Sequence, residues 1–150
     1  MTSNETNPLD PVTFEVLKNS FITAVDQMAE QMLRTCYSFV IYNRDFSNGL
    51  HDAEGNSVAQ GNQDIAVHVG TLHFTCKDVI RTFEGEMKPG DVYAINDPYA
   101  GGTHFSDVRL IRPIFDDDTP PMTTSSMRSQ SAAVASGSAS KLNTGVRSRS

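Results

Sequence analysis

Apolar residues recur every three or four positions between residues 14 and 36, and this spacing constrains the fold more than any other feature. The residues that share it are Phe14, Leu17, Phe21, Val25, Met28, Met32 and Cys36. Because Asp10 can cap a helix and Pro11 fits its first turn, the pattern predicts a long amphipathic helix over about residues 11–36. A wide apolar stripe usually faces a core, so we expect the six residues from Phe14 to Met32 in that list to be buried.

Short strands and a second helix are predicted after this helix. The predicted strands cover residues 39–42, 46–50, 57–60, 92–95 and 108–115. The turn at 52–56 makes the second and third of these a hairpin, and apolar spacing over 71–83 indicates another amphipathic helix. The expected fold class is therefore α+β, with two amphipathic helices packed on short mixed or antiparallel strands.

The charge of the chain changes abruptly near residue 118. Residues 1–118 carry 8 basic and 18 acidic side chains, a net charge of −10, whereas residues 119–150 carry 4 basic and no acidic ones. The later segment is rich in serine and has no apolar periodicity, so it cannot bury enough surface to offset its ordering entropy. We expect a flexible N-terminus at 1–9, an ordered domain at 10–115 and a disordered tail at 116–150.

Composition excludes several functional classes. A formal net charge of −6 without a basic cluster argues against nucleic-acid binding, because phosphate contacts need grouped Lys and Arg. No apolar run approaches the roughly 20 residues that span a bilayer, and no signal peptide is recognisable, so a cytoplasmic location is expected. In that reducing compartment, Cys36 and Cys76 should be free thiols.

The loop between the last two predicted strands combines glycines with metal-ligand side chains. Gly101 and Gly102, followed by Thr103, allow a close backbone approach to a ligand and could present amides to an oxyanion, although glycines that serve only a hairpin turn would look the same. Asp97, His104 and Asp107 are of the types that bind Zn²⁺, Mn²⁺ or Fe²⁺. The alternative is that Asp97 caps the turn and Asp107 lies in solvent.

Two earlier residues are further candidates. Asp45 is either a metal ligand or a carboxylate at a strand edge paired with Arg44, and His68 is either a ligand or a core histidine with one hydrogen bond. His51 and His73 have no acidic or glycine-rich neighbours and are interpreted as structural or surface residues. Because the chain has no Walker A loop and no nucleophile elbow, metal-assisted activation of water or of a carbonyl is the favoured chemistry.

Several short motifs, in this order, resemble the hydantoinase B/5-oxoprolinase family over about residues 9–115. They are Asp10-Pro11-Val12-Thr13-Phe14-Glu15-Val16, Arg44-Asp45-Phe46-Ser47, Asp52-Ala53-Glu54-Gly55, Val67-His68-Val69-Gly70, Pro89-Gly90-Asp91-Val92 and Asn96-Asp97-Pro98-Tyr99-Ala100-Gly101-Gly102-Thr103-His104, with Asp107. The last motif is the most specific of them.

The resemblance implies the B-type part of an ATP-dependent cyclic-amide hydrolase, such as an N-methylhydantoinase or 5-oxoprolinase. An A-type subunit or domain would bind ATP and activate a small cyclic amide or ketone, and the B-type part would carry a divalent metal. Asp45 and His104 are implied as ligands, and His68, Asp97 and Asp107 as secondary ligands or orienting residues. No catalytic residue is assigned.

The sequence departs from the family pattern after Phe115. The His-His-x-Asp-x-Gly-Gly segment and the long body that follow in the family are missing, and no histidine occurs after His104. We therefore expect an N-terminal fragment that is inactive alone, with a tail that resembles a frameshifted or fused segment. The alternatives are a fragment of a related ketone carboxylase and a non-catalytic module that binds an A-type partner.

Overall fold

The computed structural model describes residues 9–62, 64, 68, 70–102, 107–115, 131–136 and 146–147. Its helices are α1 Pro11–Thr35, α2 Phe39–Tyr42 and α3 Leu72–Thr82. Its strands are β1 Ser47–His51, β2 Ser57–Gln60, β3 Val92–Ile95, β4 Arg109–Ile114, β5 Ser131–Ser136 and β6 Val146–Arg147. A 3-10 turn at Pro98–Ala100 lies between β3 and β4. The predicted α+β class is confirmed.

Helix α1 begins at the predicted residue because the Asp10 carboxylate satisfies its first amides. Oδ1 of Asp10 accepts hydrogen bonds from the backbone N–H groups of Val12, at 2.9 Å, and Thr13, at 3.3 Å. The helix ends where the Cys36 amide makes a last bond to the Met32 carbonyl. Its predicted bounds, 11–36, are thus correct to within one residue.

The first half of α1 differs from the prediction of burial. Val25 is fully buried and Met28 and Met32 are half-buried, but Phe14, Leu17 and Phe21 expose 53%, 40% and 41% of their surfaces. A helix of 25 residues is about 38 Å long, whereas a five-residue strand covers only about 17 Å. Among the described elements, α1 packs mainly on β1 and β2, so its first turns extend past them and the face stays uncovered.

The strands form one sheet in the order β2-β1-β5-β4-β3-β6. Every neighbouring pair is antiparallel except β3 and β6, which are parallel. The predicted hairpin is present as β1 and β2, with Gly49 opposite Gln60. The sheet is therefore mixed, as expected, and α1 and α3 supply the helical cover.

The two long helices cover opposite faces of the sheet. Successive strand residues point to alternate faces, and a Cβ on Gly49 would lie 3.6 Å from the Leu72 side chain of α3. Phe46, which is in phase with the even positions of β1, packs instead with Ala29 of α1. The main core lies under α3 and consists of Leu72, Cys76, Val79, Phe83, Tyr93 and Ile111.

Residues 39–42, predicted as a strand, form the one-turn helix α2. A short apolar run cannot be assigned to strand or helix by its spacing alone. Ile41 is buried against Ala29 and Phe46, while Phe39 and Tyr42 are 80% and 71% exposed. Only Ile41 of these four residues is buried. In a strand, where side chains alternate between two faces, two of the four would point inward.

Part of the C-terminal segment also differs from the expectation of disorder. Residues 131–136 form β5, which pairs with β1 on one side and β4 on the other. A central strand gains backbone hydrogen bonds along both edges, a contribution that apolar periodicity does not report. The rest of the predicted tail, apart from β6, lies outside the described residues. Within the described ranges, none of the helices combines the length and apolar character needed to cross a bilayer.

Candidate functional site

Asp97 organises the glycine loop, defined here as residues Asp97–Gly102 between β3 and β4. Its Oδ1 atom accepts a hydrogen bond of 2.9 Å from the Tyr99 amide, and its carbonyl accepts from the amides of Ala100 and Gly102. The capping role considered for Asp97 is therefore present in the structure. The Gly102 amide is occupied by this turn and does not point freely at an oxyanion.

Gly101 lies directly against helix α3, and no larger residue would fit there. Its φ is +89°, and a Cβ would come within 2.7 Å of the Thr75 backbone nitrogen and 2.8 Å of the Phe74 Cβ. A Cβ on Gly102 would lie 2.8 Å from the Asp97 carbonyl oxygen. Both glycines thus serve close packing of the loop, whereas Thr103 and His104 lie outside the described residues.

Arg109 connects this loop to α3, and the sequence reasoning did not identify it. Its guanidinium donates to the Gly101 carbonyl, to the Thr71 carbonyl at 3.2 Å and to the Thr71 hydroxyl at 2.8 Å. A further bond of 2.5 Å reaches the Thr75 hydroxyl. Arg109 is 1% exposed, and burial lowers its pKa while the Asp107 carboxylate acts in the opposite direction. One signal in the sequence could have identified Arg109: it alternates with Ile111 and Pro113 on the inward-facing side of β4, where a basic residue is unusual.

His68 and Asp107, both secondary candidates, are brought together. The Nε2 atom of His68 lies 3.8 Å from Oδ2 of Asp107, with side chains only 7% and 14% exposed. Among the described residues, Nδ1 of His68 has no hydrogen-bond partner. Asp107 is therefore not the solvent-exposed carboxylate of the alternative interpretation.

Asp45 follows a strained turn at the end of α2. The amide of Asp45 bonds to the Val40 carbonyl and that of Arg44 to the Ile41 carbonyl, the arrangement that closes a helix through a left-handed residue. Arg44 occupies the position where glycine is usual, with φ +63°. The Asp45 side chain is exposed at this turn. Strain of this kind is concentrated at functional sites, which makes the turn a reasonable place for a ligand.

The predicted convergence of Asp45 with His104 lies outside the described residues, because His104 is not among them. Within the described part of the chain, no group of three His, Cys, Asp or Glu side chains is arranged to hold a metal ion. The described residues alone therefore do not make up a ligand set. The metal assignment stays a prediction.

One half-buried and one buried polar residue near β1, Asp64 and Asn48, were also missed by the sequence reasoning. Oδ2 of Asp64 accepts from the amides of Asn48, at 3.0 Å, and Gly61, at 3.3 Å, and so connects β1 to the end of β2. Burial raises the pKa of Asp64, although these backbone bonds oppose the shift. The Asn48 side chain is fully buried, and its amide finds no partner among the described residues. No spacing in the sequence indicates either role.

His51 was interpreted as a structural or surface residue, and the structure places it inside. It is 1% exposed on β1, with the Asp52 and His73 side chains near it. Burial lowers its pKa; a backbone interaction with Gly55 and the charge of Asp52 oppose the shift. The structural interpretation is confirmed and the surface one is wrong.

The fold and site define an α+β domain in which a glycine loop is anchored to a helix beside a buried His-carboxylate pair. Residues 10–145 match the family model described as hydantoinase B/oxoprolinase. The chain therefore belongs to the hydantoinase B/oxoprolinase family. The match continues past Phe115, where the motif resemblance ends.

Individual relatives agree with this membership. The chain is 35% identical over 108 residues to the 5-oxoprolinase of Saccharomyces cerevisiae, covering 71% of this chain and 8% of the yeast protein. It is 36% identical over 110 residues to caprolactamase subunit beta of Pseudomonas jessenii, covering 73% of this chain and 19% of that subunit. The chain thus spans less than a fifth of the length of either relative.

Solved structures show the same fold. The crystal structure of ATP-dependent caprolactamase from Pseudomonas jessenii matches with a TM-score of 0.66 and 25% identity, over 88% of this chain and 21% of that one. Nucleotide-free acetone carboxylase matches with a TM-score of 0.67 and 22% identity, over 85% of this chain and 16% of that one. The second likeness shows the fold alone.

Proposed function

We propose that the chain supplies the N-terminal part of the B-type body of an ATP-dependent cyclic-amide hydrolase and is inactive alone. The observation that carries this proposal is its identity of 35–36% to both a 5-oxoprolinase and a caprolactamase subunit beta. Those two relatives are named for cyclic amides of different ring size. We therefore propose cyclic amides as the substrate class.

A divalent ion, Zn²⁺, Mn²⁺ or Fe²⁺, is proposed as the cofactor, with Asp45 and His104 as ligands. His68, Asp97 and Asp107 are proposed to bind or orient it. Support comes from the ligand chemistry of these side chains and from the strained turn that presents Asp45. Such an ion would polarise the amide carbonyl or activate water.

The chain's own residues are proposed to build a rigid edge for that site. The Gly101 packing and the Arg109 bonds hold the glycine loop on α3, while Asp107 reaches the buried His68. Fixed supporting side chains reduce the cost of aligning reacting groups. ATP would be bound by a separate A-type subunit, which is supported by the relative named as a beta subunit. A cytoplasmic location is proposed because the reaction would consume ATP.

The proposal is tested by an assay in which the chain is added to the other parts of a cyclic-amide hydrolase and turnover is measured. Pure chain with ATP is expected to leave 5-oxoproline, hydantoin, N-methylhydantoin and caprolactam intact. Activity should appear when an A-type partner and a caprolactamase beta subunit lacking the matching segment are both added. His104→Ala should abolish this restored activity, whereas His73→Ala should retain it. Turnover by pure chain, or restoration by His104→Ala chain, would refute the proposal.

Two other functions are separated by the same assay. A ketone carboxylase would consume acetone only with bicarbonate, and the likeness to acetone carboxylase does not favour it because it shows only a shared fold. A non-catalytic module would bind the A-type partner yet restore no turnover. Metal analysis of the restored complex, with and without Asp45→Asn, distinguishes a bound ion from a purely structural contribution.

A further inference from the structure

A single buried guanidinium joins the glycine loop to the start of α3. The two N–H groups of Arg109 Nη1 are shared among three acceptors, the carbonyls of Gly101 and Thr71 and the Thr75 hydroxyl, and Nη2 donates to the Thr71 hydroxyl. The charge of Asp107 acts on the same guanidinium. Its hydrogen-bond partners therefore belong to two separate segments of the chain, the glycine loop and the start of α3.

Such an arrangement requires arginine in particular. A buried cation is costly unless hydrogen bonds and a countercharge offset its desolvation. The planar fork of arginine can reach several oxygens at fixed angles, whereas the single ammonium of lysine cannot satisfy the same set. Thr71, which immediately precedes α3, and Thr75 of α3 lie four residues apart and provide two of those oxygens.

The position of Gly101 makes the contact sensitive to small displacements. The loop backbone lies so near α3 that a Cβ would meet the Thr75 nitrogen at 2.7 Å. There is no room for an added atom between the loop and the helix, so a side chain at position 101 would displace the loop from α3. The Arg109 bond to the Gly101 carbonyl favours the seated position.

We propose that Arg109 is a positioning residue that seats the glycine loop on α3 and thereby sets the place of Asp97 relative to the His68–Asp107 pair. The positioning itself stands on the contacts above, and its consequence for metal binding rests on the proposed function. Arg109 would act on the site only through the position of the loop.

The test compares two ways of releasing the loop with two matched controls. Arg109→Lys keeps the charge and removes the fork, and Gly101→Ala pushes the loop from α3 without changing Arg109. Arg112→Lys makes the same substitution at an exposed residue of the same strand. Gly90→Ala places alanine at another positive φ, +91°, where nothing lies within 4 Å.

Hydrogen exchange of the Ala100 and Gly102 amides, which bond to the Asp97 carbonyl, reports the loop directly. We expect at least tenfold faster exchange in Arg109→Lys and Gly101→Ala, with less than twofold change in the interior of α3 and in both controls. Unchanged loop exchange in the two test variants would overturn the proposal. If Arg109→Lys does not fold, Gly101→Ala against Gly90→Ala decides.

A Zn²⁺ titration of the same full chains separates this inference from the function on which it rests. Wild-type chain, which lacks the histidine-rich segment of the family, should bind Zn²⁺ weakly, and the two released-loop variants should bind it at least tenfold more weakly still. Equal affinity with a released loop would overturn the positioning role. Absence of Zn²⁺ binding by wild type would count against the metal in the proposed function, and the exchange result would still decide whether Arg109 seats the loop.

Discussion

Nε2 of His68 and Oδ2 of Asp107 lie 3.8 Å apart, although His68 precedes α3 in the sequence and Asp107 follows it. Both side chains are largely buried. A carboxylate close to an imidazole helps to orient the ring. Since the strand that follows Asp107 also carries Arg109, the pair belongs to the same rigid edge as the glycine loop.

The first prediction concerns the energetic coupling of this pair. In a double-mutant cycle of His68→Gln and Asp107→Asn, we expect a coupling energy of about 0.5–1 kcal/mol, within the range for contacting side chains. Urea unfolding of the four chains measures it.

Glu15 serves as the control partner, because its carboxylate pairs with Lys18 on the exposed part of α1. His68→Gln and Glu15→Gln should be additive to within about 0.5 kcal/mol. Additivity of the first pair would show that the approach has no energetic consequence.

The second prediction compares one substitution in two environments. Leu72 of α3 is fully buried against the sheet, and Leu17 of α1 exposes 40% of its surface. Leu72→Ala should destabilise the chain by about 2–5 kcal/mol through lost transfer energy and a cavity. Leu17→Ala should change the free energy of unfolding by only about 0.5 kcal/mol, as surface changes do.

Thermal or urea unfolding of these two variants is sufficient for the comparison. Equal costs would mean that the first half of α1 is covered in solution, contrary to its exposure in this structure. Sedimentation at two protein concentrations then establishes whether a second copy provides the cover.

The third prediction concerns the two free thiols. Burial raises the pKa of Cys76 from the usual 9.0 to about 12, which lowers its thiolate population by about 1,000-fold. At pH 8 the folded chain should therefore react with a disulfide reagent at the half-buried Cys36 and leave Cys76 intact. The reaction of Cys36 should appear as a fast phase, which should disappear in Cys36→Ser. Denaturant should then make Cys76 reactive in that variant. A fast phase that survives in Cys36→Ser would contradict the packing of α3 on the sheet.

Most of the helices and strands could be read from the sequence because each carries its own local signal. The Asp10 cap and apolar spacing define α1, and apolar spacing defines α3. What failed was burial along α1, since spacing identifies an apolar face and not the extent of the surface that covers it. The helix at 39–42 failed because four apolar residues carry no usable period, and β5 because its stability comes from distant backbone partners.

Less of the candidate site could be predicted, for a related reason. Asp97, His68 and Asp107 were recognisable from residue type and glycine-rich context. Arg109 acts through contacts with residues up to 38 positions away, and Asp64 through backbone amides that no side-chain pattern reveals. The sequence indicates long-range polar contacts of this kind at most by a charged residue at an inward-facing position of a strand.

The last prediction follows from His51, whose pKa is lowered by burial on β1. In the unfolded chain an imidazole gains a proton below about pH 6.5, while the buried ring resists it, so unfolding takes up a proton. Stability should therefore be complete above about pH 6.5 and fall as the pH drops toward the lowered pKa, by at most about 1.4 kcal/mol per pH unit. Urea unfolding between about pH 7.5 and 5.5 measures this slope, in a range above the titration of most carboxylates.

His51→Gln should remove that part of the slope, whereas His73→Gln should retain it, because the charge of His73 has only a secondary influence on His51. Asp52 opposes the shift and stays in place in both variants. A slope that is the same in His51→Gln and wild type would show that the ring is solvated in solution. The β1 position would then be less enclosed than its 1% exposure indicates.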